Sequence, residues 1–464
     1  MKSTRLFIYH TNDVHSHFHQ WPYMTQIIKK QRKIHQEKGE DVLYFDIGDH
    51  ADRSHPLTEA LEGKGSTLLL NEAGVDAITI GNNEGLTFSK EQLSKLYEGR
   101  KFSVLVANLF EQDGSRPQWT EPYRHFSLSN GAVVGVIGMT IPYYPFYEKL
   151  GWKIADPLKL LPSLIKEVRQ KADIVLLLSH LGLNLDEEIA REMEGIDVII
   201  GGHTHHLLKS GKIVKGTRIV QAGKFGHYIG QIMLEIDDAT KQIVHCEMGV
   251  IDVGQKEESE ETRRLLNELE HKAGEILKKE VVYLPEPLPV HWFRESKGAL
   301  FLADAVREWC GTKMSMVNSG VLLETIPKGK ITIGDIHRIC PHPINPCVVT
   351  IQGNQLKETI QHAFTEEMKR LQLKGYGFRG KVLGYMAFSG IEVEVKRMAD
   401  GLEHVTNVMF NGKPLEPHKY YELATLDMFT FGMLYPAIAN SPKKEYFLPE
   451  LLRDVLLWKL SKNS

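Results

Sequence analysis

Five short polar segments in the first half of the chain each follow directly on an apolar, β-branched run. They read Thr11-Asn12-Asp13-Val14-His15, Gly48-Asp49, Gly81-Asn82-Asn83-Glu84, Ser179-His180-Leu181-Gly182 and Gly201-Gly202-His203-Thr204-His205. The apolar runs lie at residues 5–9, 42–47, 77–80, 104–107, 133–138, 174–178 and 198–200, and they have the composition of strands. Amphipathic stretches at 23–36, 66–72 and 157–171 read as helices between them. Strands alternating with helices predict a layered α/β fold with helices covering sheet faces. In such folds the carboxyl ends of the strands share one edge, and the five segments are expected to meet there.

Their chemistry is coherent. Asp13 and His15 are two positions apart, as are His203 and His205, so in an extended segment each pair points to one side. The neighbouring glycines let backbone and ligand approach closely. Asp13, His15, Asp49, Asn82, His180, His203 and His205 together offer carboxylates, an amide oxygen and imidazoles. That donor set suits divalent Mn, Fe, Co or Zn better than Ca or Mg alone. Seven ligands exceed the needs of one tetrahedral ion. They fit two ions sharing a bridging carboxylate about 3.5–4 Å apart, the arrangement used for in-line phosphoryl displacement. A single histidine at a strand end is more often an ordinary polar residue, and Gly-Asp more often a plain turn. Five such segments in series outweigh that reading.

The remainder of the chain sets the frame. With 464 residues it is long enough for two domains. The formal net charge of −3 argues against a nucleic-acid or anionic-membrane binder. The four cysteines form no CxxC pair, which points to free thiols in a reducing compartment. The apolar run at the N-terminus is too short for a signal-peptide core, and no stretch approaches a membrane span, so a cytoplasmic location is expected. Residues 256–280 are charge-rich with apolar positions at helical spacing, and three prolines follow within 281–290. We read residues 1–255 as the first domain, 256–284 as a linker helix and 285–464 as a second, α+β domain. In the second half, 298–309 and 354–369 read as helices, and 314–317 and 391–395 as strands.

The order HTNDVHSH, DIGD, GNNE, LSHLG, GGHTH resembles the metallophosphoesterases of the 5′-nucleotidase family, and within it the YunD-like bacterial branch. The second half is similar to that family's C-terminal substrate domain at LADAV, at Asn318-Ser319-Gly320, at Gly334-Asp335 and around ELATLD. The resemblance implies a four-layer sandwich, with helices flanking two packed sheets, followed by the α+β domain. It implies two divalent metal ions (Mn, Zn, Fe, Co or Mg). One would be held by Asp13, His15, Asp49 and His205, the other by Asp49, Asn82, His180 and His203. Water or hydroxide would then attack the phosphorus of a small phosphate ester, in this family a nucleotide.

Two positions depart from the family pattern GNHEFD. Asn83 stands at the catalytic histidine and Leu86 at the aspartate that orients it. Asn83 can donate a hydrogen bond to phosphate but cannot deliver a proton. Esters with good leaving groups are therefore expected to suit this site best. A metal- and nucleotide-binding protein without turnover is the alternative. For the substrate, the family resemblance implies Asn318, Gly320, Asn345 and Phe429 as contacts, with Phe429 or Phe431 supplying a stacking ring and His342 standing where a second ring is usual.

Overall fold

A computed structural model describes residues 2–254, 257–399, 401, 403–432 and 434–462. Two compact units are present, Met1–Lys272 and Ala273–Ser464. Gln255 and Lys256, where the sequence places the domain boundary, lie outside the described residues.

The first unit contains two six-stranded sheets. In one, the strands run Ile243–Asp252, Tyr228–Asp237, Ser3–Thr11, Asp41–Asp46, Ala77–Ile78, Ser103–Val104. In the other, they run Lys212–Val214, Thr217–Val220, Val198–Gly201, Ile174–His180, Val133–Thr140, Tyr123–Ser127. Side-chain alternation explains the layering. In Ile174–His180, the residues Ile174, Leu176 and Leu178 join Leu6, Ile8 and Phe45 of the other sheet in one buried cluster. Val175 and Leu177 point the other way, against Leu161, Leu164 and Val168 of the helix Pro157–Arg169. Both faces are thus buried, so the run is apolar throughout. On the far side the helix Trp21–Glu37 covers the first sheet, where its His35 stacks on Phe7 at 3.6 Å. Helix, sheet, sheet and helix make the four layers that the resemblance implies.

The strand expected at 104–107 is only Ser103–Val104, because the backbone N–H of Val106 leaves the ladder to donate to Glu121. The run 256–280 forms the helix Glu260–Leu277. Within the first unit it is no bare spacer. Thr262, Leu266 and Leu269 are buried, and Lys29 holds Glu261 at 2.7 Å. The second unit is α+β. Its main sheet runs Met386–Ser389, Ser315–Asn318, Tyr420–Leu426, Pro346–Gln352, Lys444–Tyr446, against helices such as Lys297–Trp309 and Leu452–Lys462. The helix expected at 354–369 is broken into Gly353–Ala363 and Glu366–Arg370. The Thr365 side chain accepts from Met368 N and restarts the chain as an N-cap.

One buried histidine gives the first unit a measurable acid sensitivity. His10 pairs with Gly230 across the sheet, and a Cβ at Gly230 would sit 1.8 Å from His10 Nε2. Only glycine leaves room for that ring. Burial lowers the His10 pKa from 6.5 to about 3. The folded chain therefore holds it neutral while the unfolded chain protonates it. Its contribution is complete above about pH 6.5 and is lost as pH falls toward 3, at about 1.4 kcal/mol per pH unit. In urea unfolding with chelator present, His10→Leu should lose about 2 kcal/mol less than the parent between about pH 6.5 and 5. Equal losses would remove His10 as the cause.

Candidate metal centre

The carboxyl ends of five parallel strands in the two sheets deliver the predicted residues to one place. Asp13 follows Ser3–Thr11, Asp49 follows Asp41–Asp46, Asn82 follows Ala77–Ile78, His180 ends Ile174–His180, and His203 follows Val198–Gly201. Donor atoms of Asp13, His15 and His205 lie within 4.8 Å of one another, as do those of Asp13, Asp49 and His180. Asp49 stands between the two sides. Its Oδ1 is 3.6 Å from His180 Nε2, and its Oδ2 is 3.7 Å from His15 Nε2. His205 Nε2 lies 3.3 Å from Asp13 Oδ1 and 3.1 Å from His15 Nε2. His203 Nδ1 lies 2.8 Å from Asn82 Oδ1. The His180 and His203 rings are 5.3 Å apart.

The extended-segment expectation is corrected. Asp13, His15, His203 and His205 all have positive φ, at 52°, 48°, 72° and 59°, and Asp49 has 50°. Each pair sits in a left-handed turn where the chain leaves the strand, a conformation that non-glycine residues rarely adopt and that collects at functional sites. The pairs converge because the turns fold back, not because a strand alternates. The adjoining glycines are required by proximity. A Cβ at Gly81 would sit 2.0 Å from Asp49 Oδ1, and one at Gly202 would sit 3.2 Å from Asp13 Oδ2.

These residues fit a divalent cation. Asp13 and Asp49 are buried, and among the described residues only imidazoles make ion-pair contacts with them. Buried carboxylates without a cationic partner are costly. His180 Nδ1–H donates to the Ile47 carbonyl at 2.6 Å, which turns Nε2 toward Asp49, and that buried atom has no hydrogen-bond partner. Burial opposes charge on this ring, yet Asp49 and then Asp13 lift its pKa to about 10. The carboxylates draw a positive charge to the spot where a ligand nitrogen would meet a metal.

Two framework residues carry no obvious sequence signal. Glu84 is buried and ties the loops together. Its Oε2 accepts from Asp49 N and Gly81 N, both at 2.9 Å, and its Oε1 accepts from Ala51 N at 2.8 Å. Burial, then the charge of Asp49, raises its pKa to about 7. Asn12 donates to Asp13 Oδ2 at 2.8 Å and to Gly223 O at 2.7 Å, and accepts from Ala222 N at 3.0 Å. Both residues lie inside the polar segments, and their position beside candidate ligands was the available hint.

The second unit corrects the expected substrate contacts. Phe429 is fully buried, its ring edge-on to Tyr435 at 5.0 Å, so it offers no stacking face. His342 is equally buried, stacked on Phe378 at 5.3 Å. Asn318 donates to Leu383 O and Asn345 to Glu450 O, and both side chains are buried. At Gly320 a Cβ would meet Val382 O at 2.0 Å, so that glycine serves close packing. Tyr376 and Phe431 are two of the exposed rings of this unit. They face each other in near-parallel planes, 4° apart in tilt, with centroids 6.4 Å apart. Met433, in the same segment as Phe431, lies outside the described residues.

Comparison with known proteins agrees with this architecture. Residues 7–207 match the calcineurin-like phosphoesterase family, and residues 281–435 match the 5′-nucleotidase C-terminal domain. The metallophosphoesterase YunD of Bacillus subtilis (strain 168) is 48% identical over 98% of this chain and 99% of its own length. A 5′-nucleotidase of Rattus norvegicus is 25% identical over 78% of this chain and 72% of its own length. The fold is similar to that of the NAD nucleotidase of Haemophilus influenzae, with a TM-score of 0.70 at 17% identity, covering 100% and 97% of the two chains. The chain therefore belongs to the metallophosphoesterases, metal-dependent phosphoric ester hydrolases, as a calcineurin-like domain followed by a 5′-nucleotidase C-terminal domain.

Proposed function

We propose that this chain hydrolyses nucleotide-like phosphate esters with two divalent cations at the first unit's strand-end cluster. One cation is assigned to Asp13, His15, Asp49 and His205, the other to Asp49, Asn82, His180 and His203. The observation that carries this is the placement of Asp49, whose two oxygens face imidazole nitrogens from opposite sides at 3.6 and 3.7 Å. When bound, such cations neutralise phosphoryl charge and lower the pKa of an attacking water. The chain's own residues prepare the site. The Ile47 carbonyl fixes the His180 tautomer, the His203 backbone N–H donates to Asp13 at 3.0 Å, and the Tyr143 hydroxyl lies 3.4 Å from His203 Nε2. These contacts hold the donors in place before substrate arrives, so little reorganisation is left for the reaction.

Nucleotide preference is assigned to the second unit, with Tyr376 and Phe431 as the platform for the base. Their parallel faces suit a flat heterocycle, and the relatives named as nucleotidases support the substrate class. Base–aromatic stacking contributes about 1–3 kcal/mol per base. With Mn(II) added, Phe431→Ala should raise KM for a nucleoside monophosphate about 10–100-fold while leaving kcat/KM for p-nitrophenyl phosphate within about twofold. Equal losses on both substrates would remove the base platform. No hydrolysis across nucleotides and simple esters alike would remove the enzymatic reading.

A further inference from the structure

The loop between the strands Thr217–Val220 and Tyr228–Asp237 is tied through its main chain to two of the turns that carry candidate ligands. The Gly223 N–H donates to His206 O at 2.9 Å, and Gly223 O accepts from the Asn12 amide at 2.7 Å. The Phe225 N–H donates to Asp13 O at 2.8 Å. Phe225 is held at φ 63°, between Gly223 at 77° and Gly226 at 69°. A bulky residue rarely adopts that left-handed backbone, and such positions collect at functional sites. The Phe225 ring stacks on His17 at 3.9 Å and meets His15 nearly edge-on at 5.9 Å. Lys224 Nζ lies over the same ring, 4.5 Å from its centroid. Lys224 is half-buried, and among the described residues no carboxylate pairs with its ammonium.

We propose that Lys224 is a specificity-determining residue that binds a second phosphoryl group, so that the site favours esters with two linked phosphates over monophosphates. Among the described residues Lys224 makes no hydrogen bond to the seven assigned ligands, and it stands outside them by one ring, that of Phe225. It therefore addresses charge carried beside the reacting phosphoryl group, not the ligands themselves. The buried carboxylates of Asp13 and Asp49 repel any additional anionic group brought to the cluster, and a fixed cation beside them offsets that repulsion. Asn83 is neutral and supplies no charge for this purpose. An ammonium is a compact point charge with three rotatable donors, which suits the several oxygens of a phosphate. Resting over an aromatic face holds it in place without consuming its charge on a carboxylate. The bonds that pin the loop fix that charge before substrate arrives, so little ordering is left to binding.

The role of Lys224 rests on the phosphoesterase reading above, and the test separates the two. Hydrolysis of ADP and of AMP by the full-length chain with Mn(II) is compared for the parent, Lys224→Ala and Lys224→Arg. The parent should show the higher kcat/KM on ADP. In Lys224→Ala the loss of kcat/KM should be about 10–100-fold larger for ADP than for AMP and should fall on KM, as removal of one charge-assisted hydrogen bond requires. Lys224→Arg keeps the charge and should recover most of that selectivity. A second readout needs no variant. In the parent, methylenediphosphonate should inhibit AMP hydrolysis with a Ki at least about tenfold below that of inorganic phosphate, and the gap should narrow as KCl is raised. Losses equal on ADP and AMP, or a Lys224→Ala chain as selective as the parent, would overturn the role of Lys224. A parent that hydrolyses AMP but not ADP would overturn it too, and would leave the phosphoesterase reading standing. A parent inactive on ADP, AMP and p-nitrophenyl phosphate alike would remove both.

Discussion

Asp49→Asn is expected to leave the protein folded and to reduce metal-dependent hydrolysis by about 10³-fold or more in kcat/KM. The substitution is isosteric. It keeps an oxygen able to accept the Asn83 N–H now bound at 2.8 Å. It removes the one negative group that faces both sides of the cluster, toward His180 at 3.6 Å and toward His15 at 3.7 Å. It also places an amide N–H₂ where the proposed assignment would require an acceptor for one of its cations. His180, whose proton affinity is raised chiefly by Asp49 against its burial, should lose that proton near neutral pH in the metal-free variant. Metal content measured by atomic emission should fall at both positions, because the proposed assignment has both share this ligand. Retention of two equivalents together with ordinary activity would mean that Asp49 bridges nothing.

Glu84→Ala is expected to be the most destabilising single change in the first unit. Glu84 accepts from three backbone N–H groups, of Asp49, Ala51 and Gly81, and all four residues are buried. Truncation leaves those donors without a partner at about 1–3 kcal/mol each, or roughly 3–9 kcal/mol together. That is comparable with the whole stability of a domain, about 5–15 kcal/mol. A fall in Tm on the order of 10–30 °C is expected by differential scanning calorimetry, with loss of bound metal. Glu84→Gln should fall between, since its single carbonyl oxygen can keep some of the N–H bonds while its amide opposes another. A Tm within about 3 °C of the parent for Glu84→Ala would show that the loops are held by other contacts.

The convergence of the candidate ligand residues was legible because each polar segment follows an apolar run. Hydrophobic patterning places strands, and parallel strands place their carboxyl ends together. The local conformation was not legible. Left-handed φ at Asp13, His15 and Asp49 is imposed by the surrounding turns, and nothing in the identity of an aspartate or histidine announces it. In the second unit, Asn318 and Asn345 are candidate contacts because the family resemblance implies them, and a motif match does not distinguish an asparagine that meets a ligand from one that satisfies a buried carbonyl. Here both satisfy carbonyls. Tyr376 lies in the glycine-flanked run Lys374-Gly375-Tyr376-Gly377, which carries no periodicity, and only the folded chain brings it against Phe431. The break at Thr365 was in principle readable as an N-cap with Glu366 and Glu367 behind it, and the apolar spacing on either side concealed it.

The cluster around Asp49 is tested most directly by anomalous diffraction at the manganese edge from crystals grown in Mn(II). Two peaks about 3.5–4 Å apart are expected, with the Asp49 carboxylate touching both and His15 and His180 on opposite sides. A single peak, or two peaks of which Asp49 reaches only one, would contradict it.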